Sequence, residues 1–294
     1  MSWVAKSPAV TAPPRVPPVV LVLAAISSVQ VGAALAKTLF DEIGPGGTVF
    51  VRVAFAALLL AIVWRPRLAG HTRGDLWLAL AFGLTLAGMN LAFYSALERI
   101  PLGVTVTLEF VGPLGVAVAG SRRALDLLWV ALAAAGILLL SDFGATDLDG
   151  LGVGLAFLAG CLWAAYIVLS AGVGRVFPGG AGLALAMIVA SVPLLPVGVA
   201  EAGADLLVPW ILAAGAAVAV LSSAVPYSLE LEALRRMPAG VFGVLMSLEP
   251  AVAALAGFVV LGEDLAAREL IAILLVVAAS AGAARQAHVA PRDA

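Results

Sequence analysis

Long apolar segments separated by short polar ones run through most of this chain. A helix needs about 20 apolar residues to cross the roughly 30 Å hydrocarbon core of a bilayer. The pattern predicts such helices at residues 19–39, 45–64, 75–96, 101–119, 124–141, 150–171, 181–200, 207–231, 238–261 and 266–284. We therefore predict an all-α membrane protein with ten transmembrane helices, preceded by a disordered tail over residues 1–18.

The composition agrees with a lipid bilayer as the surrounding medium. The chain is 63% hydrophobic and 12% charged, whereas a water-soluble domain has about a quarter of its residues charged. The near-neutral balance of 16 basic and 18 acidic residues gives no basic surface for nucleic acid. The chain has one cysteine, Cys161, and two histidines, both of which lie in polar segments. We therefore expect neither a disulfide nor a metal site, and no cofactor.

The basic residues predict the orientation of the spans. If the N-terminus is cytoplasmic, the cytoplasmic segments carry nearly all the lysines and arginines, and the outer segments carry only Arg99 and Arg268. This distribution predicts an even number of spans with both termini in the cytoplasm. An alternative makes the first segment a cleaved signal peptide, because Ala34-Leu35-Ala36 resembles a cleavage site. That alternative leaves nine spans.

The sequence partly repeats itself at a shift of about 135 residues. LERIPLGV, from Leu97, corresponds to LRRMPAGV, from Leu234, and Gly112-Pro113 corresponds to Glu249-Pro250. Residues 19–141 and 150–284 therefore form two repeats of five spans each. Because five is odd, the second repeat has inverted topology, as in many secondary transporters, which place the substrate site near the membrane midplane.

Two glutamates interrupt apolar spans. Glu109 lies about 12 Å below the outer end of span four, and Glu249 lies about 14 Å from the outer edge, so both are near the midplane. Pro113 and Pro250 follow them, and each proline frees a carbonyl that needs a partner or a wet cavity. We expect helix kinks there, with both acids facing a shared hydrated chamber. The alternative is that the kinks serve packing and the carboxyl groups are neutral and structural.

Five other polar residues are candidates for a substrate or proton-coupling site. Arg52 lies about 10 Å below the outer boundary and requires an acidic partner, for which Glu109 is the nearest candidate by depth. Lys37 lies near the outer end of span one and can extend to water. Gln30 falls near the midplane, and Asn90 and Tyr227 occupy corresponding repeat positions. These uncharged groups could equally form helix contacts.

Three further predictions concern the ends and walls of the spans. Glu230 lies late in span eight, near Arg235 and Arg236, which favours an interfacial position. Trp163 and Tyr166 lie one turn apart on span six and either wall a cavity or simply pack. An aspartate of Asp147-Leu148-Asp149-Gly150 is expected to cap span six rather than to bind calcium.

The segments that contain these residues resemble the EamA family of the drug/metabolite transporter superfamily. The similar pieces are AALAKTLF at Ala33, RVAFAALLL at Arg52, GMNLAFY at Gly88, PLGVTVTLEFVGPLGVAVAGSRR at Pro101, PYSLELEALRRMPAGVFGVLMSLEPAVAALAG at Pro226 and GED at Gly262. They extend through nearly all the chain beyond Pro18 and are most similar to the exporters of threonine and homoserine in the bacterial inner membrane. This resemblance implies proton-driven export of small amino acids without ATP. The region of spans six and seven departs from those exporters, which leaves the substrate open.

These observations are compatible with three functions. The first is a proton-coupled exporter in which Glu109 or Glu249 holds the ammonium group of a small amino acid and Arg52, with Lys37, meets its carboxylate. The second keeps the fold but transports a cationic drug, a metabolite or another amino acid. The third is an intramembrane enzyme or a sensor, against which stand the absent nucleophile, metal and phosphate motifs. We expect a transporter, not an enzyme, that acts as a monomer or a homodimer.

Overall fold

The computed structural model of the chain describes residues 16–140, 148–256 and 267–289, and all regular structure in these ranges is helical. Short 3-10 and π-helical segments, Gly203–Leu207 and Val220–Ala224, flank α8. The α-helices are α1 Pro18–Trp64, α2 Arg73–Leu97, α3 Leu102–Glu109, α4 Val111–Gly120, α5 Ala124–Leu140, α6 Gly150–Val176, α7 Ala181–Ala202, α8 Pro209–Ala219, α9 Val225–Leu234, α10 Ala239–Met246, α11 Leu248–Ala256 and α12 Ala267–Val289.

Helix α1 contains the first two predicted spans. Gly44, at its centre, has φ 66° and ψ 172°, and Pro45 follows. A positive φ is accessible to glycine at little cost, and proline removes a backbone donor. The chain therefore changes direction at Gly44, close to the predicted boundary between residues 39 and 45.

Within the described residues, six helices are long and apolar enough to cross a membrane by length and composition, and four shorter apolar helices accompany them. The long ones are Thr38–Trp64, Arg73–Leu97, Gly150–Val176, Ala181–Leu207, Pro209–Leu234 and Ala267–Gln286; the short ones are Pro18–Ala33, Val104–Gly120, Ala124–Leu140 and Ala239–Ala253. All ten coincide with predicted segments, although a count of ten complete spans stays a prediction. Many large side chains on the helix surfaces are apolar and exposed, as lipid contact requires.

The short helices include two broken ones at equivalent positions of the sequence repeat. Helix α3 ends at Glu109 and α4 resumes at Val111, while α10 ends at Met246 and α11 resumes at Leu248. Each proline of the predicted kinks is the third residue of the resumed helix. Proline is tolerated in the first turn, where the backbone N–H has no partner within the helix. The helices therefore break just before the prolines.

The two broken helices run in opposite directions where they touch. The start of α10 at Gly240 meets the end of α4, since a Cβ on Gly120 would lie 3.3 Å from the Gly240 Cα. Further along, a Cβ on Gly243 would lie 2.3 Å from the carbonyl oxygen of Pro113, near the start of α4. This antiparallel contact between the two broken helices agrees with inverted topology. For the complete halves, inverted topology stays a prediction.

Segments predicted to be cytoplasmic meet at one end of the bundle. Arg235, at the C-terminus of α9, donates from Nε to the carbonyl oxygen of Gly174 at 2.6 Å and from Nη2 to that of Phe177 at 2.9 Å. The His71 ring lies 4.3 Å from the Phe177 ring, and Trp64 packs against the residues that follow Phe177 in the chain. We call this end, where α1, α6 and α9 finish, the basic end.

Segments predicted to be external meet at the opposite end. Trp210 Nε1 donates to Glu42 at 3.3 Å, and Arg99 pairs with Asp149 at 3.4 Å. Asp149 also accepts from the backbone N–H of Leu151 at 3.0 Å, which confirms the predicted cap of α6. Segments that were predicted to lie on the same side of the membrane therefore meet at the same end of the bundle.

Parts of the predictions lie outside the described residues. These are residues 1–15 of the predicted tail, residue 141 of span five, Asp147, and residues 257–261 of span nine with residue 266 of span ten. Pro18, the last residue of the predicted tail, is the first residue of α1.

Candidate functional site

Glu109 and Glu249 flank the breaks in the two broken helices. Glu109 is the last residue of α3, and Glu249 is the second residue of α11. Both are half-buried, and their carboxyl groups are close enough to repel each other. Neither makes a side-chain hydrogen bond or an ion pair within the described part of the chain. The structure therefore brings the two predicted acids into one region and leaves both unpaired.

Close contact with α6 fixes the backbone at Glu109. A Cβ on Gly160 would lie 2.7 Å from the Glu109 carbonyl oxygen and 3.2 Å from its Cα. A Cβ on Gly112 would in turn lie 2.0 Å from the Gly160 carbonyl oxygen. Beside this contact, the rings of Phe110 and Trp163 lie 5.1 Å apart. The absence of side chains on the glycines lets α6 cross the break and position Glu109.

Arg52 forms a polar corner with Asn90 and the π-helical turn. Arg52 Nη2 donates to Asn90 Oδ1, and Nη1 lies 3.5 Å from the carbonyl oxygen of Ser222. Asn90 is buried, and its Nδ2 donates to the Leu86 carbonyl oxygen at 2.8 Å, which directs Oδ1 toward the guanidinium. Among the described ion pairs none involves Arg52, so the expected pairing with Glu109 is wrong. Neutral groups hold the guanidinium, and its buried Nε has no partner.

The π-helical turn brings span eight against the first half of α1. Ser28 Oγ donates to the Leu221 carbonyl oxygen at 2.6 Å, and a Cβ on Gly32 would lie 2.1 Å from Ser222 Oγ. Gln30, between these two contacts, is half-buried and makes no side-chain hydrogen bond in the described ranges. Lys37 also lies on α1, but its side chain is outside the described part of the structure.

Tyrosines connect the Arg52 corner to a third acid. Tyr227 interacts with both Arg52 and Asn90, so the two repeat-related positions do meet. The rings of Tyr227 and Tyr166 lie 5.5 Å apart, and Tyr166 Oη donates to Glu230 Oε2 at 2.7 Å. A continuous row of polar side chains thus crosses α1, α2, α9 and α6.

Glu230 was expected at the interface, and this expectation is wrong. Its residue surface is 4% exposed, and its partner is Tyr166 from α6 rather than the arginines at the end of its own helix. Those arginines pair with Glu232 instead. Spacing along α9 could have indicated this, because Glu230 lies one turn after Tyr227 and shares its face.

One groove on the bundle lies apart from these polar residues. It has a volume of about 430 Å³, opens between α1, α7 and the start of α8, and is lined by apolar side chains such as Phe55, Leu195 and Leu206. None of the predicted site residues lines it. The Arg52 corner, with Tyr227 beside it, and the pair of Glu109 and Glu249 are the candidate substrate site.

Helices that fit a membrane, with two neighbouring unpaired acids and, elsewhere in the same bundle, an arginine held by neutral groups, are typical of a multi-pass membrane transporter. The EamA-like transporter family model matches residues 150–285. The chain is 44% identical over 271 residues to the threonine/homoserine exporter RhtA of Salmonella typhimurium and 42% identical over 270 residues to that of Escherichia coli K12; each match covers 90% of both chains. A crystal structure with 19% identity superposes with a TM-score of 0.74 over 92% of this chain and 97% of that one.

The chain belongs to the EamA-like transporter family. This confirms the resemblance drawn from the sequence blocks, and it makes the protein a transporter rather than an enzyme. The solved structure supports the helical fold alone.

Proposed function

We propose that this protein exports a small zwitterionic amino acid, threonine or homoserine, across the bacterial inner membrane in exchange for protons. The carrying observation is the arrangement of one arginine with an unsatisfied donor and two unpaired acids within the same helical bundle. The two relatives named above are exporters of this cargo. An amino acid presents both a carboxylate and an ammonium group, and the site offers partners for both.

The carboxylate end of the substrate belongs at the Arg52 corner. A guanidinium that is held only by neutral groups keeps its positive charge available, and its Nε still lacks an acceptor. Tyr227 stands beside it as a second donor. Asn90 positions the guanidinium, while Gln30 and Lys37 stay candidates for further contacts on α1.

The ammonium end belongs at Glu109 and Glu249. Neither carboxyl group has a cationic partner among the described residues, and two neighbouring carboxylates repel each other, so one of them favours a proton or a substrate cation. If the ammonium group and the proton exclude each other there, substrate leaves the cell only when a proton returns. This competition would produce antiport.

The proposed architecture has ten spans in two inverted repeats, with both termini in the cytoplasm. The antiparallel contact between α4 and α10 and the sorting of charged ends support this arrangement. In such transporters the two halves rock about a central site and expose it to one side at a time. Helix breaks beside Glu109 and Glu249 provide positions where such movement could occur.

The test is threonine efflux from loaded cells that carry Glu109→Gln or Glu249→Gln. Each variant should reduce gradient-dependent efflux at least about tenfold, because the amide keeps the shape but neither carries the charge nor takes up a proton. Glu98→Gln, at an exposed acid after α2, is the matched control and should leave efflux unchanged. If both glutamine variants retain gradient-sensitive efflux, the proposed function is wrong.

A further inference from the structure

Three carboxyl groups occupy successive depths of the bundle. Glu230 lies about 6 Å from the basic end, measured back from Leu234 along α9. Glu249 lies about 15 Å from the same end, measured along its broken helix. Glu109 lies about 18 Å from the basic end, in a hydrocarbon core of roughly 30 Å. Measured from the basic end, Glu230 is therefore the nearest of the three acids, followed by Glu249 and then by Glu109.

The electrostatic contacts follow the same order. Glu230 interacts with Glu249, and Glu249 interacts with Glu109. Glu249 is thus the common neighbour and stands between the other two acids. A charge or proton on Glu249 is therefore felt by both the substrate site and Glu230.

Glu230 is built into the protein differently from the other two acids. It is buried, and Tyr166 holds one of its oxygens at 2.7 Å. The other oxygen, Oε1, has no hydrogen-bond partner among the described residues. Tyr166 is itself fixed by ring contacts of 5.5 Å with Phe82 and with Tyr227. One oxygen is held in place while the other stays available.

Few other ionisable groups compete for this position. Those that face Glu230 from the packed elements are Tyr166 from α6, Tyr227 on its own helix and Glu249 from α11, with Arg52 of α1 acting on the far side of Tyr227. Helix α10 and the π-helical turn have no ionisable side chain, and α7 has only Glu201, at the opposite end. Among the residues that the structure describes, no cation therefore pairs with Glu230 and holds it permanently charged.

We propose that Glu230, positioned by Tyr166, is the proton relay between the substrate site and the cytoplasm. This proposal rests on the proposed proton antiport. A proton released by Glu249 binds Glu230 at Oε1, and Glu230 then passes it to water at the basic end. Glu249 loses the one proton that Glu230 gains, and Oε2 keeps its bond from Tyr166 throughout.

A relay differs from a substrate contact in one measurable respect. Exchange of labelled for unlabelled threonine across a vesicle membrane needs the substrate site but no net movement of protons. Accumulation of threonine driven by an imposed pH gradient needs both. A relay variant should therefore retain exchange and lose accumulation.

The experiment uses the purified full chain in proteoliposomes, with both assays run on wild type, Glu230→Gln, Tyr166→Phe and Glu232→Gln. We expect Glu230→Gln to keep exchange within about twofold and to lose gradient-driven accumulation at least about tenfold. Tyr166→Phe should lower accumulation several-fold with exchange retained, because it removes only the positioning bond. Glu232→Gln, two residues away and paired with arginines, should retain both activities.

Each other outcome overturns the relay. Accumulation that persists in Glu230→Gln means that protons take another path, and loss of both activities in folded protein means that Glu230 serves the substrate site. If Glu230→Gln does not fold, Glu230→Asp and Tyr166→Phe decide, and unchanged accumulation in both contradicts the proposal. Wild-type protein that exchanges threonine but ignores the pH gradient would instead contradict proton antiport itself.

Discussion

At the scale of single residues, Arg52 is the position at which the proposed zwitterionic cargo and a cationic cargo can be distinguished by experiment. Its partners are Asn90 and a backbone carbonyl, and no acid in residues 16–140, 148–256 and 267–289 pairs with it. A zwitterion site needs this charge for the substrate carboxylate, whereas a site for cationic drugs is weakened by it. The residue separates the two cargoes that the sequence left open.

We predict that Arg52→Ala reduces threonine efflux at least about tenfold, because a hydrogen bond to a charged group is worth about 1.5–3 kcal/mol. Parallel efflux of threonine and of a cationic dye measures the effect. Arg99→Ala, at an exposed arginine, serves as the control and should change neither. Improved dye efflux with intact threonine efflux would identify a cation exporter instead.

The sequence predicted this site unevenly. Glu109, Glu249 and Arg52 are predicted candidates because charged groups deep in apolar spans are costly, and Asn90 and Tyr227 because they are equivalent in the repeat. Glu230 was misplaced since its distance along the chain from Arg235 and Arg236 indicated an interface. Only the packing of α6 against α9, which brings Tyr166 to Glu230, determines that this acid is buried.

At the scale of helices, the crossing of α6 over the break between α3 and α4 positions Glu109. Gly112 and Gly160 let the two backbones approach each other more closely than a side chain at either position would allow. Small residues serve this purpose in membrane proteins, where close packing replaces the hydrophobic effect between helices. The contact links a packing feature directly to the site.

We predict that Gly160→Ala lowers both thermal stability in detergent and threonine transport. The added methyl group meets backbone atoms of Glu109, which cannot rotate away, and overpacking of this kind costs about 1–3 kcal/mol. Gly154→Ala, on the same helix with nothing within 4 Å, should leave both unchanged. Equal melting temperatures for the two variants would mean that α6 and the break between α3 and α4 can move apart at Gly160 without loss of stability, which would contradict the prediction.

At the scale of the whole molecule, charged segments sort to two ends of the bundle as the basic residues predicted. Arg235 joins α9 to the segment after α6 at the basic end, and Arg99 joins α6 to the end of α2 at the other. This sorting requires that helices alternate in direction. It makes the orientation of the protein testable with two surface positions.

We predict that a cysteine at position 69 is cytoplasmic and one at position 204 is external. In a Cys161→Ser background, Ala204→Cys should react with a membrane-impermeant maleimide in intact cells, and Ala69→Cys should react only after the cells are opened. Both positions are exposed. Labelling of Ala69→Cys in intact cells would contradict the proposed orientation.

The sequence by itself determined the membrane setting and the helical segments, because bilayer thickness and backbone hydrogen bonding act on each segment separately. The family followed from the resemblance of particular sequence blocks to known transporters. The sequence also located the helix breaks, since proline and glycine restrict the local backbone. Only the tertiary structure decided which polar groups are partners. Arg52 bonds to Asn90 rather than Glu109, and Glu230 bonds to Tyr166, because helix crossing angles and close glycine contacts set side-chain distances that depth alone cannot give.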